Sequence, residues 1–164
     1  MRVCDIRDKL LGQIGQAYSL NDPAHQVKHF DAVENCGIII NERLGLGFDH
    51  KLIMMVAYIH DMFAWSRHNH HELSSLWVHT TDCEIITELS SSERNMVAAG
   101  CREHRASRKE DFSSVFAELM NAADREIPGD VTNMVDRAIA FRIARGFTYT
   151  DAVLPAIAHI KDKF

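Results

Sequence analysis

Apolar residues recur along this chain at helical spacing. Val3, Ile6, Leu10, Leu11, Ile14 and Ala17 fall on one face and predict a helix over 3–19. Leu20-Asn21-Asp22-Pro23 interrupts that stripe. Asp22 suits an N-cap and Pro23 a first helical position, so a second helix is expected from there to about Leu44. Gly45 and Gly47 would end it. Leu52–Ile59 is apolar all round, which predicts a largely buried helix over 50–61. A buried strand is the rival reading, and the Met-Met-Val-Ala content favours helix. After an irregular stretch from Phe63 to Asn69, a fourth helix is expected over 70–89. Ser90 and Glu93 stand in capping-box spacing and open a fifth that reaches about Arg105. A polar loop from Ala106 to Phe112 leads to a sixth over 113–126. Ile127-Pro128-Gly129-Asp130 is a turn with Asp130 as the next cap. Two last helices are expected over 131–145 and 149–162, with Thr148 and Asp151 at the start of the final one. No period-2 strand and no internal repeat appears. The pattern predicts an all-α, single-domain helical bundle of about seven or eight helices over residues 1–164.

Composition narrows the class. The chain has 164 residues, 46% apolar and 25% charged, with three prolines and eight glycines. These values suit a globular chain with a core of its own and exclude disordered and collagenous classes. Net charge is −5, so no global basic footprint signals nucleic acid. The longest apolar run is far short of a membrane span. The N-terminal residues show no signal-peptide core. The cysteines at 4, 36, 83 and 101 form no CxxC pair, so free thiols in a reducing cytoplasm are expected. No Walker A loop, GxGxxG or GxSxG is present.

Histidine stands out, at ten, seven of them between His50 and His104. His60-Asp61 ends the most apolar helix, where an unpaired carboxylate would be costly. His25 and His29 lie four apart on one helical face upstream. His68, His70, His71 and His104 follow downstream. Asp124 then lies in the small-residue segment Met120-Asn121-Ala122-Ala123-Asp124, where a metal explains a carboxylate better than solvent does.

Three stretches carry a family likeness: Asp22-Pro23-Ala24-His25-Gln26-Val27-Lys28-His29, Ala57-Tyr58-Ile59-His60-Asp61 and Asn121-Ala122-Ala123-Asp124-Arg125. In this order, over about residues 22–125, they resemble the HD-domain superfamily of metal-dependent phosphohydrolases. The resemblance implies an all-α bundle with His29, His60, Asp61 and Asp124 as metal ligands and His25 on the substrate side. It also implies that Asp61 can bridge two ions. Relatives with more ligands add two histidines between the HD pair and the last Asp. Here those would be His104 and either His70 or His71; placing Ser74 at the family's small position selects His70.

The donors suit a divalent transition metal (Mn, Fe, Co or Ni; one or two ions). The implied reaction is hydrolysis of a phosphate ester or anhydride, a nucleotide above all, by metal-activated water. Asp61, His70 and His104 would be catalytic. Arg67, Arg105 and Lys109 are the candidate phosphate-binding cations, with Arg125 beside Asp124 as a structural pair. Two rival readings come with the fold: a mixed-valent di-iron oxygenase using the same six-ligand pattern, and a non-catalytic nucleotide-binding module. The motifs of the ppGpp hydrolase, 5′-nucleotidase and cyclic-di-GMP phosphodiesterase branches are lacking, so the resemblance selects none of them. The helices over 131–162 would complete the bundle or form a homodimer interface.

Overall fold

The structure is a computed structural model and describes residues 2–125 and 131–161, the side chains of 131–134 excepted. Among these residues it is an all-α bundle. The helices are α1 (Val3–Ile14), α2 (Val27–Leu44), α3 (His50–Ile59), α4 (His70–Thr80), α5 (Glu84–Thr87), α6 (Ser91–Glu103), α7 (Val115–Asp124), α8 (Val131–Ile143) and α9 (Tyr149–Lys161). No described helix is long and apolar enough to cross a membrane.

α3 is the axis of the bundle. It packs against α1, α2, α6 and α7. Every residue from Leu52 to Ile59 is buried, so no face is left for solvent. Burying a side chain of this size contributes about 1.5–3 kcal/mol, and the run therefore commits α3 to the centre. The Asp49 carboxylate accepts from the Lys51 N–H and starts it. α2 and α6 approach it closely at glycines. A Cβ on Gly37 would stand 2.7 Å from Ile53 Cγ2, and one on Gly100 2.9 Å from Val56 Cγ2.

Several expected boundaries hold. The Ser90–Glu93 capping box starts α6, and Gly45, left-handed at φ 62°, ends α2. The Thr148 hydroxyl accepts from the Asp151 N–H. Three boundaries differ. The first predicted helix tightens at Gly15–Leu20 into a 3-10 segment. Asp22 accepts from the Ala24 N–H and binds His25, so Pro23–Gln26 is a turn and α2 starts at Val27. The helix expected over 70–89 breaks at Thr81, whose hydroxyl accepts from the Cys83 N–H, leaving α4 and the short α5. The Asp130 cap lies outside the described residues.

α8 and α9 pack on each other around a small core of Ile139, Ala152 and Ala156. Their described contacts with the main bundle include polar and aromatic side chains. Arg145 reaches Asp22 at 3.5 Å, and Phe141 meets His25 edge-on.

Replacing a helix-interior glycine by alanine ordinarily favours the helix by about 1 kcal/mol. Here Gly37→Ala and Gly100→Ala are each expected to cost about 1–3 kcal/mol, because the new methyl meets a β-branched side chain that cannot swing away. Urea denaturation measures this. Val56→Ala added to Gly100→Ala should be less destabilising than the sum of the two single changes.

Candidate metal centre

The His60-Asp61 pair reaches the interior because α3 carries it there. His60 caps α3, with its N–H bonded to the Val56 carbonyl, and Asp61 follows. Their exposures are 1% and 4%. His29 projects from the first turn of α2, His70 opens α4, His104 caps α6 and Asp124 ends α7. Residues distant in sequence therefore meet where helix ends converge.

Two groups of donors result. His29, His60, Asp61 and Asp124 form one, and Asp61, His70 and His104 the other; either could hold a metal ion. In the first, His29 Nε2 lies 3.1 Å from Asp124 Oδ1 and 3.5 Å from Asp61 Oδ2. His60 Nε2 lies 3.3 Å from Asp61 Oδ2 and 3.5 Å from Asp124 Oδ1. In the second, Asp61 Oδ1 stands 3.4 Å from His70 Nε2 and 3.5 Å from His104 Nε2. The two oxygens of Asp61 thus face different groups.

These spacings fit a cation. Donors bound at ~2.1 Å to one ion stand ~3.0 Å apart on an octahedral edge and ~3.4 Å on a tetrahedral one. The chemistry of the rings agrees. His60 Nδ1 lies 2.9 Å from the Ala57 carbonyl, which only accepts, so Nδ1 donates and Nε2 faces the site. That Nε2 is buried without an aligned hydrogen bond; its carboxylate contacts are ion-pair distances. His70 Nδ1 faces the Arg67 carbonyl and His104 Nδ1 the Cys101 carbonyl. Their two Nε2 atoms stand 3.2 Å apart, an arrangement that needs a proton or a cation between the lone pairs. His29 differs. The Arg137 guanidinium, a donor only, contacts its Nδ1, so the Nε2–H points at the carboxylates.

Burial opposes charge throughout, and the opposite charges prevail. Burial pulls the His60 imidazolium down, but Asp61 and Asp124 raise its pKa to about 10. Burial raises Asp61 and Asp124, but the facing imidazoles hold both well below the usual carboxylate range. For His70 burial prevails and lowers the pKa to about 4, so its ring is neutral near pH 7.

The cavity over these donors has a volume of about 490 Å3, and His25, Arg67 and Arg105 also line it. His70 joins the donors and His71 does not. His71 is half-buried outside both groups, with Nε2 3.8 Å from Glu72. Ser74 explains this register: fully buried, it donates to the His60 carbonyl at 2.8 Å and leaves His70 one turn earlier at the site. Lys109 is exposed and does not line the cavity. Trp65 is also exposed and outside the lining, whereas Tyr58 is core.

Four participants escape the sequence pattern. Asn21 donates to the Asp61 carbonyl at 2.8 Å. Asn121 donates to the carbonyls of Glu103, His104 and Arg105 at 2.8–3.0 Å, and so pins the end of α6. Asn121 sits one turn before Asp124, which is the signal that could have found it. Arg137 and His159 reach the cavity from α8 and α9, and no spacing in the chain announces them.

No family model matches the chain, and no solved structure matches it. It is similar to an uncharacterized protein of Clostridium beijerinckii (strain ATCC 51743 / NCIMB 8052), with 29% identity over 104 residues. The match covers 62% of this chain and 63% of that protein, so the chain spans less than two thirds of the relative's length.

Two outcomes are expected. A raised histidine pKa stabilises the metal-free fold fully below its unfolded value near 6.5, and that stability is lost as pH rises through about 10. At pH 7 a cation must therefore displace the His60 proton, and calorimetry in buffers of different ionisation enthalpy should count about one proton released per first-group ion. Affinity for Mn2+ or Zn2+ should rise with pH between 6 and 8. Asn121→Ala removes the donor from three carbonyls, two of them in buried contacts. It should cost about 1–3 kcal/mol in urea denaturation and weaken metal binding about 10–100-fold.

Proposed function

We propose that this protein is a metal-dependent phosphohydrolase of the HD-domain type, acting on a phosphate ester or anhydride such as a nucleotide. The observation that carries the reading is the convergence of His29, His60, Asp61, His70, His104 and Asp124 in two donor groups that share Asp61, all but His60 lining one cavity, in the order in which the sequence resemblance lists ligands. His29, His60, Asp61 and Asp124 would hold a first ion of Mn, Fe, Co or Ni. Asp61, His70 and His104 would hold a second. A divalent cation there supplies Lewis acidity toward a phosphoryl oxygen and lowers the pKa of water toward neutrality.

The protein's own groups do the rest. Asp61 spans both donor groups with its two oxygens and fixes their separation. His70 and His104 close the second group, each ring oriented by a backbone carbonyl. Arg67 and Arg105 on the cavity wall present guanidinium forks to phosphate oxygens and offset charge that builds there. His25, held by Asp22 at 2.9 Å, keeps Nε2 3.9 Å from Asp61 and faces the substrate. Lys109 serves at most as an outer cation. The cavity volume is within the range of sites for nucleotide-sized ligands. Cys36, Cys83 and Cys101 are buried and Cys4 is exposed, and thiols at these positions suit the reducing cytoplasm we assign. We assign no nucleic-acid or membrane partner, and a homodimer is compatible with this reading.

A second reading is favoured by one specific observation. Both His70 and His104 reach Asp61, completing the six-donor pattern that HD-fold di-iron oxygenases use. Iron-dependent O2 consumption without phosphate release would select it. A non-catalytic nucleotide-binding module would bind nucleotide and turn over nothing.

A phosphate-release screen across nucleotides with Mn2+, Co2+, Ni2+ and Fe2+ tests the main reading, with metal content measured on the same samples. His60→Ala should lose first-group metal and at least about 100-fold of the activity together, since it removes a ligand and not merely a neighbour of one. Retained metal with full activity would overturn the assignment.

A further inference from the structure

A second, smaller recess opens beside the metal cavity, between the turn before α2 and the α8–α9 pair. Its volume is about 140 Å3. That is room for a phosphate- or carboxylate-sized group. Arg67, Arg137, Arg142, His25 and His159 line it, and among the described residues no Asp or Glu does. Four of these, all but Arg142, also line the metal cavity, so the two spaces share a wall and one ligand can enter both.

The charge in this corner is crowded. Phe141 is a shared platform, with the Arg67 guanidinium 4.2 Å from its ring centre and that of Arg145 3.4 Å away. Asp22 is already engaged by His25 and Arg145. Arg142 is braced by the Ala138 and Pro155 carbonyls at 3.0 and 3.1 Å, which hold its guanidinium in place without neutralising it. Guanidiniums fixed around a space of this size match the oxygens of a tetrahedral or carboxylate anion. Arg137, which lines both spaces, also contacts His29 Nδ1 and so ties the recess wall to the first donor group.

We propose that this recess is an anion subsite, and that the substrate carries a second anionic group separated from the one presented to the metal centre. The proposal rests on the phosphohydrolase reading for the first group only. It makes α8 and α9 part of the substrate site, and it selects bisphosphorylated or phosphorylated-carboxylate compounds over simple monoesters.

Adenosine 3′,5′-bisphosphate and adenosine 5′-monophosphate differ by one anionic group, as do fructose 1,6-bisphosphate and fructose 6-phosphate. Each pair is titrated calorimetrically into the protein as purified, with its metal content measured and phosphate release followed separately. At least one bisphosphate should bind tenfold or more tighter than its partner. Arg142→Gln and Arg67→Gln should each reduce that ratio fivefold or more, while Arg142→Lys retains most of it. Thermal melts and metal content show whether each variant is folded and loaded, and two variants on different elements guard against failure of one. A ratio near one for both pairs in the native protein, absence of binding included, overturns the subsite. So does a ratio that survives both Gln substitutions. A preserved, arginine-dependent ratio with no phosphate release under any metal overturns the hydrolase reading and leaves the subsite standing.

Discussion

Asp61 is ionised inside a helical bundle, and the rest of the structure is arranged around that cost. A carboxylate with 4% exposure is tolerated only when opposite charge or a cation faces it. The His60 imidazolium does so, and the rings of His25, His29, His70 and His104 also stand within 4 Å of one of its oxygens. Their rings are oriented in turn by carbonyls at helix ends and by Asp22. The helix ends are pinned by Asn21, Ser74 and Asn121. Remove the need to satisfy this one charge and there is little reason for five helices to terminate at the same point.

The site also explains the division of labour within the bundle. α3 supplies the apolar mass that makes the interior dry, and the glycines of α2 and α6 let their backbones close on it. A dry interior is what makes unpaired polar atoms expensive and a bound cation effective. α4, α6 and α7 contribute ends rather than faces to the chemistry. α8 and α9 differ, because their shared core is small and they meet the bundle through arginine, histidine and phenylalanine. A contact surface of that kind can exchange internal partners for a ligand more readily than an apolar one.

The His60 proton ties acid–base behaviour to metal loading. Without a cation, the site balances its carboxylates with imidazolium. With one, the same nitrogen lone pairs would be available as ligands. The competition between proton and metal arises from burial and charge pairing together, and neither alone would set it.

Local pattern made much of this legible. The 3.6-residue stripes, the capping box at Ser90 and the glycine stop at Gly45 depend on neighbours a few residues apart, so helices and most of their ends could be read directly. His60-Asp61 and Asp124 were conspicuous as charged residues in apolar segments, whereas His29 as their partner came from the family resemblance. Where side-chain bonding overrode propensity, pattern failed: Asp22 binds His25 and delays α2, and Thr81 turns the chain before α5. The preference for His70 over His71 rested on Ser74 at a small position of the resemblance, and the hydrogen bond from Ser74 to the His60 carbonyl supplies its physical reason. Arg137 and His159 were invisible because an arginine or histidine on an amphipathic helix looks the same whether it faces water or a site. The chain alone determined which residues are able to bind a metal. Only the packing of helices far apart in sequence decided which of them meet, because the free energy of bringing six donors together lies in long-range burial and not in any local run of residues.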